Sequence, residues 1–135
     1  MASLVTITAE ASGVDDLMQR VVRETMRFTG ATGAVVEQVD GEELVYVCAD
    51  GSIAAHVGLR LPRRASLSGL ATFNRQFQQC DDSETDPRVN RDACRAIRAR
   101  SMLIVPLLFG DAVIGVLKAT SERESAFAPL DRQAL

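Results

Sequence analysis

The stretch CDDSETDPRVNRDAC, Cys80 to Cys94, gathers two thiols, five carboxylates and two arginines in a chain whose charged fraction is only 24%. Carboxylates and guanidinium forks make directional, charge-assisted hydrogen bonds. Asp81, Asp82, Arg88 and Arg95 are therefore candidates for holding the polar groups of a small ligand. The same residues can instead satisfy one another, with Asp86 and Arg88 fixing a loop by local hydrogen bonds and a salt bridge. Cys80 and Cys94 carry three readings: buried small hydrophobes, a reversible disulfide, or one reactive thiol. Cys48, which alternates with Tyr46 in a β-rich run, is expected in the core.

Lys118 is the other candidate, because it interrupts the apolar run VIGVLKAT. Strand alternation puts it on a face with Val116 and Ile114, with Gly115 and Leu117 opposite. If that face meets a cavity, the ammonium would neutralise an anionic ligand, and its burial demands a paired charge; if the face meets solvent, Lys118 is simply exposed. His56, the single histidine, has no partner identifiable from sequence and is expected to be a surface or packing residue. The chain offers no Ser-His-Asp set, no glycine loop that would cradle a phosphate and no metal-ligand cluster.

The elements that must position these groups follow from periodicity. Apolar residues from Val14 to Phe28 fall close to an i, i+3, i+4, i+7 pattern, predicting a helix with Ser12 as N-cap and Gly30 and Gly33 as stops. AVVEQVD and EELVYVCAD are β-rich runs joined at Asp40-Gly41, which predicts a tight hairpin. The middle is less regular: a turn and brief strand in GSIAAHVGLRLP, a short helix in SLSGLATFNRQ, one more strand in QFQQCD. Pro87 disfavours helix before it, and Asn90 is a sensible cap for RDACRAIRA. SMLIVPLLFG and AVIGVLKATS form a second hairpin around Gly110-Asp111. Pro129 precedes the start of a last helix; so short a helix is marginal alone, and the sequence reads as cut at that point from a longer protein. Helix, hairpin, irregular middle, helix, hairpin, helix is the order of an α+β domain with a central antiparallel β-sheet flanked by helices.

Composition narrows the function classes. A chain of 135 residues with 47% hydrophobic residues suits one soluble domain with a proper core, spanning 1–135. The net charge of −3 with interspersed basic residues gives no footprint for nucleic acid. No segment approaches the roughly 20 apolar residues of a membrane span, and the start does not read as a signal peptide, so a cytoplasmic setting is expected. The three cysteines match no zinc knuckle and in a reducing compartment are expected as free thiols.

The run SMLIVPLLFGDAVIGVLKATS resembles the signature hairpin of the GAF family, a strand ending in Val-Pro-Leu, a turn, then a Val-Ile-Gly-Val-Leu strand. LPRRASLSGLA resembles that family's strand-to-helix entry into the ligand cover, and CDDSETDPRVNRDACRAIRARSM its loop and helix before the fourth strand. The resemblance covers about Val14 to Leu135. It implies a small-molecule sensory domain of bacterial signalling, placed ahead of a diguanylate cyclase, cyclic-dinucleotide phosphodiesterase or histidine kinase output domain absent from this chain. It also implies a homodimer built by the first and last helices. Under it the candidate ligand-binding residues are Cys80, Asp81, Asp82, Arg88, Cys94, Arg95, Ser101 and Lys118, with no catalytic residue, cofactor or metal expected.

Two branches of the family carry further implications. Free methionine sulfoxide reductases use cysteines in this cavity, and Cys94 falls close to the position of their catalytic cysteine. Their second position is Ser68 here, and no cysteine lies near Gly58 for the third, so a resolving thiol is missing. A thiol redox switch or such an enzyme centred on Cys80 and Cys94 is the alternative function. Phytochrome-like members attach a bilin to a cysteine followed by histidine; Cys94 is followed by Arg95, so no bilin is expected, and no haem either, because His56 stands alone without an identifiable partner.

Overall fold

The computed structural model describes residues 2–128. The chain opens with helix α1 (Ala2–Thr29) and the hairpin of β1 (Gly33–Asp40) and β2 (Glu43–Gly51). A connecting segment holds β3 (Arg60–Pro62), α2 (Leu67–Asn74), β4 (Gln78–Cys80) and α3 (Arg91–Ala96), before the closing hairpin of β5 (Ser101–Phe109) and β6 (Ala112–Ser121). The strands make one antiparallel sheet in the order β3-β2-β1-β6-β5-β4. The α+β architecture expected from sequence is the one observed. Both hairpins turn where Asp-Gly and Gly-Asp predict, with Gly41 at φ +61° and Gly110 at φ +60°, a region in which a side chain is strained.

Helix α1 begins earlier than its periodicity suggested, at Ala2, so Ser12 lies inside the helix rather than at its cap. It ends where expected: Gly30 takes φ +71° and its N–H donates to the Met26 carbonyl at 2.9 Å. Met18, Val22 and Met26 pack on Ala34, Val36, Cys48 and Leu117 of the sheet. Val14, Leu17, Val21 and Phe28 stay exposed. The predicted apolar face is thus two stripes, one of which the sheet covers. Among the described residues no helix is long and apolar enough to cross a membrane.

The opposite sheet face carries Val35, Tyr46, Met102, Ile104 and Val116, roofed by Leu67 and Ala71 of α2 and by Cys94 and Ile97. Each large side chain buried there contributes about 1.5–3 kcal/mol. The roof is held by its caps, Ser66 Oγ accepting from Gly69 N at 2.9 Å and Asn90 Oδ1 from Ala93 N at 3.0 Å. Asn90 caps α3 as its sequence position foretold.

Two bulges decide which side chains face the roof. The β1–β2 register shifts between Val36 and Glu37, pairing Val36 with Cys48 and Glu37 with Tyr46, so Val47 is extra. An extra residue breaks the two-residue alternation. Tyr46 consequently lies under the roof and Cys48 on the α1 side, although two positions separate them. The β5–β6 register shifts after Leu107, so that Leu107 pairs with Gly115 and Leu108 with Val113. Ile114 is left out of the ladder and lines a groove against α1 instead of sharing the face of Lys118 and Val116. The helix expected after Pro129 lies outside the described residues.

Candidate functional site

Lys118 stands near the middle of β6, a central strand, between Val35 of β1 and Ile104 of β5. Its side chain is 5% exposed and that of Glu37, on β1, is 1% exposed. Charges so far from water persist only if paired. Lys118 Nζ lies 3.1 Å from Glu37 Oε2 and donates to the Tyr46 hydroxyl at 2.8 Å, with the ammonium 5.0 Å from the Tyr46 ring centre. Ser68, at the start of α2, donates to the same Glu37 oxygen at 2.8 Å. One carboxylate thereby ties two sheet strands to the roof. Burial works against the Lys118 charge, but Glu37 and then Tyr46 outweigh it and hold its pKa above the ordinary lysine value. Burial likewise raises Tyr46, with Lys118 acting in the opposite sense.

This cluster faces a cavity with about 30 Å³ of free volume, between the sheet and the roof. Its walls include Leu61, Leu67, Val89, Ala93, Ile97 and Met102, with Cys94 and Asn90 from the α3 side. Most of that lining is apolar, with one charged end. Such a site gives a ligand body a dry seat and a few polar groups to orient it.

Of the eight candidates read from sequence, Lys118 and Cys94 line this cavity. Cys80 is buried in the adjoining core. The others spend their polar groups elsewhere. Arg88 forks onto Asp86 at 2.7 and 3.0 Å and also donates to the Gln79 carbonyl and to Gln78 Oε1, which fastens the loop to β4. Arg95 forks onto Glu84, and Arg100 onto Asp82, holding the Asp82 carboxyl at about 2. Asp81 accepts weakly from Gln79 and gives its carbonyl to Ser125 N. Ser101 donates to the Arg123 carbonyl and accepts from Ala126 N, closing the chain end after β6. The charged stretch is a self-bonded outer rim of the roof.

Glu37, Tyr46 and Ser68 complete the cluster without having been singled out as ligand-binding residues. A signal existed for Glu37: in AVVEQVD it shares a strand face with Val35, so an inward carboxylate was implied and needed a cation. The cation is Lys118, which only the β1–β6 pairing brings beside it.

All three cysteines are free. Burial, then Asp86, pushes the Cys80 thiol up to about 12. Burial also raises Cys94, which Lys118 only partly offsets. At pH 8 a thiol that titrates near 12, as Cys80 does, is thiolate in roughly one molecule in ten thousand. Native-state alkylation by iodoacetamide, followed by intact mass, is expected to run at least about a hundredfold slower at Cys80 than in denaturant, and slower at Cys94 as well. Labelling at equal rates would mean that the roof does not shield them.

The sequence profile of the GAF domain matches residues 11–135. No curated protein matches the sequence. Among solved structures, free methionine-R-sulfoxide reductase from Neisseria meningitidis is 25% identical with a TM-score of 0.71, the alignment covering 86% of this chain and 67% of that one. The GAF-B domain of DevS from Mycobacterium smegmatis is 24% identical with a TM-score of 0.70, covering 88% and 81%. Type II free methionine-R-sulfoxide reductase from Thermoplasma acidophilum shares the fold at 18% identity, with a TM-score of 0.78 over 92% of this chain and 85% of that one.

Proposed function

We propose, from the premise that this chain belongs to the GAF domain family, that it is a small-molecule-sensing regulatory module. The ligand enters the cavity under α2 and α3, and the response passes to an output domain on the C-terminal side, a diguanylate cyclase, cyclic-dinucleotide phosphodiesterase or histidine kinase. The observation that carries this reading is the Glu37–Lys118–Tyr46 cluster, buried yet facing a cavity rather than solid core. A charge pair is a costly way to fill an interior that apolar residues would fill as stably. Its retention beside a cavity fits recognition better than packing.

The family supplies the rest of the proposal. We place the module in the cytoplasm as a homodimer joined through its first helix and the segment that follows β6. The exposed stripe of Val14, Leu17, Val21 and Phe28 supports the first contact. A ligand that binds one arrangement of the helices better than another shifts the equilibrium between them, which is all that regulation requires. The rival reading, thiol redox chemistry at Cys80 and Cys94, draws support from the likeness to methionine sulfoxide reductases. The buried, protonated thiols weigh against it.

A thermal-shift screen of small metabolites tests the proposal. A ligand of the native state at a hundred times its Kd adds about 2.7 kcal/mol and raises Tm by several degrees. The expected result is at least one such compound, whose effect survives in Cys80→Ser. A screen in which the only response is to oxidant and reductant would move the function to the thiols.

A further inference from the structure

The cavity's polar end has a definite charge balance and a definite set of unspent hydrogen-bonding atoms. The ionisable side chains on its walls are Glu37, Tyr46, Cys94 and Lys118. Carboxylate and ammonium cancel, and the phenol and thiol are both held in their neutral forms by burial, so the lining carries no net charge. Among the described residues, Glu37 Oε2 receives both Lys118 and Ser68, while Glu37 Oε1 has no partner. Lys118 uses two of its three N–H donors, on Glu37 and Tyr46. The Tyr46 oxygen accepts from Lys118, which leaves its own proton without an acceptor. An acceptor and two donor protons thus stand open on the cavity wall, whereas the fully buried side-chain polar atom left without a partner among the described residues is Thr120 Oγ1.

Resting on the sensory reading above, we infer that the cavity takes a small ligand of zero net charge that presents a hydrogen-bond donor and an acceptor side by side, an α-amino acid zwitterion or an uncharged cyclic amide. The ligand's donor goes to Glu37 Oε1 and its acceptor to Lys118 and Tyr46. Its remaining body lies among Leu61, Ala93, Ile97 and Met102. A simple carboxylate adds one uncompensated negative charge next to Glu37, and a phosphate monoester nearly two, in a setting where charge is weakly screened. The 30 Å³ of free volume holds about one water. Entry therefore requires the roof to lift, and the bond that must yield is the one from Ser68 to Glu37, since it alone joins the charged cluster to α2.

The test is a thermal-shift and calorimetric series on the full 135-residue chain. The probes are the common L-amino acids, uracil and related cyclic amides, and, as the charged set, inorganic phosphate, AMP and acetate. A hit among the amino acids is followed with its methyl ester and its N-acetyl derivative, which carry one net charge of opposite signs. The expected result is a Tm rise with a net-neutral probe and at least a tenfold weaker Kd for each singly charged relative. In Glu37→Gln, which leaves Lys118 without its counter-ion, preference should move at least tenfold toward the anionic N-acetyl form. Because that variant can fail to fold, the derivative series on the unaltered chain decides the matter by itself. Binding of phosphate or AMP with no response to net-neutral probes overturns the ligand class and leaves the sensory reading standing. Equal affinity for neutral and charged derivatives also overturns it. No response to either set, in a protein that native mass spectrometry finds free of any small molecule as purified from cells, overturns both.

Discussion

Lys118→Met is expected to cost about 3–5 kcal/mol of unfolding free energy, and the double variant Lys118→Met/Glu37→Gln far less. Methionine keeps the length and most of the volume of lysine, so the loss is not chiefly one of packing. It comes from stranding Glu37, 1% exposed, with the Ser68 hydroxyl as its remaining side-chain partner. Removing both charges restores neutrality, and the residual cost is that of the Tyr46 and Ser68 hydroxyls left with weaker partners. Denaturant unfolding of the wild type, both single variants and the double variant gives the coupling directly, expected at about 3 kcal/mol or above, at or beyond the top of the range seen for neighbouring groups. Strict additivity would mean that the two side chains do not interact, and the site as described would be wrong.

The second large effect concerns the roof. A Cβ placed on Gly69 would lie 1.6 Å from the Arg63 carbonyl oxygen and within 3 Å of the Arg63 carbonyl carbon and Cα. All three are backbone atoms, so no side chain can swing aside to make room. Overpacking of this kind costs roughly 1–3 kcal/mol and more when backbone must move; Gly69→Ala is expected at about 3 kcal/mol or above. The position also matters to the site, because Gly69 follows Ser68 and shares the Ser66 cap. Moving α2 away from Arg63 draws the Ser68 hydroxyl off Glu37. Gly69→Ala should therefore loosen the roof over the cavity as well as lose stability, whereas Ser68→Ala, which removes one hydroxyl, should cost about 1–2 kcal/mol. An alanine variant within about 1 kcal/mol of wild type would show that the Arg63–Gly69 contact relaxes freely.

Local signals located most of the elements. Asp40-Gly41 and Gly110-Asp111 gave both hairpins, Asn90 gave the cap of α3, and the apolar period from Val14 gave α1, though its start lay at Ala2. What sequence left hidden is long-range. Nothing near Lys118 indicates that β6 pairs with β1, and the Glu37–Lys118 bond exists only through that pairing. The bulge at Val47 sends Tyr46 and Cys48 to opposite faces, and the one at Ile114 breaks the alternation from which the Lys118 face was read. Bulges respond to backbone crowding across strands; Gly115, where a Cβ would come 2.1 Å from the Glu37 carbonyl oxygen, marks such a place.

The charged stretch from Cys80 to Cys94 drew notice for its density of ionic groups, and density proved a poor guide to where a ligand could be held. Asp86 with Arg88, Glu84 with Arg95 and Asp82 with Arg100 close on one another at the rim. Pairs so open to solvent add little to stability. Their contribution is to keep the loop and α3 in place over the cavity. A single inward glutamate and a single inward lysine in otherwise apolar strands were the better clue, because each demands an explanation that an outward charge does not.

Hydrogen exchange with and without a saturating ligand tests the central claim most directly. Local opening free energies are read residue by residue, so the method reports which element the ligand holds shut. If the ligand lies between the sheet and the roof, amides of α3 and of Ser66 to Ala71 gain protection while those on the exposed side of α1 change little. Protection confined to α1 and the β5–β6 turn would place the ligand in the opposite groove and contradict the site built here around Glu37, Tyr46 and Lys118.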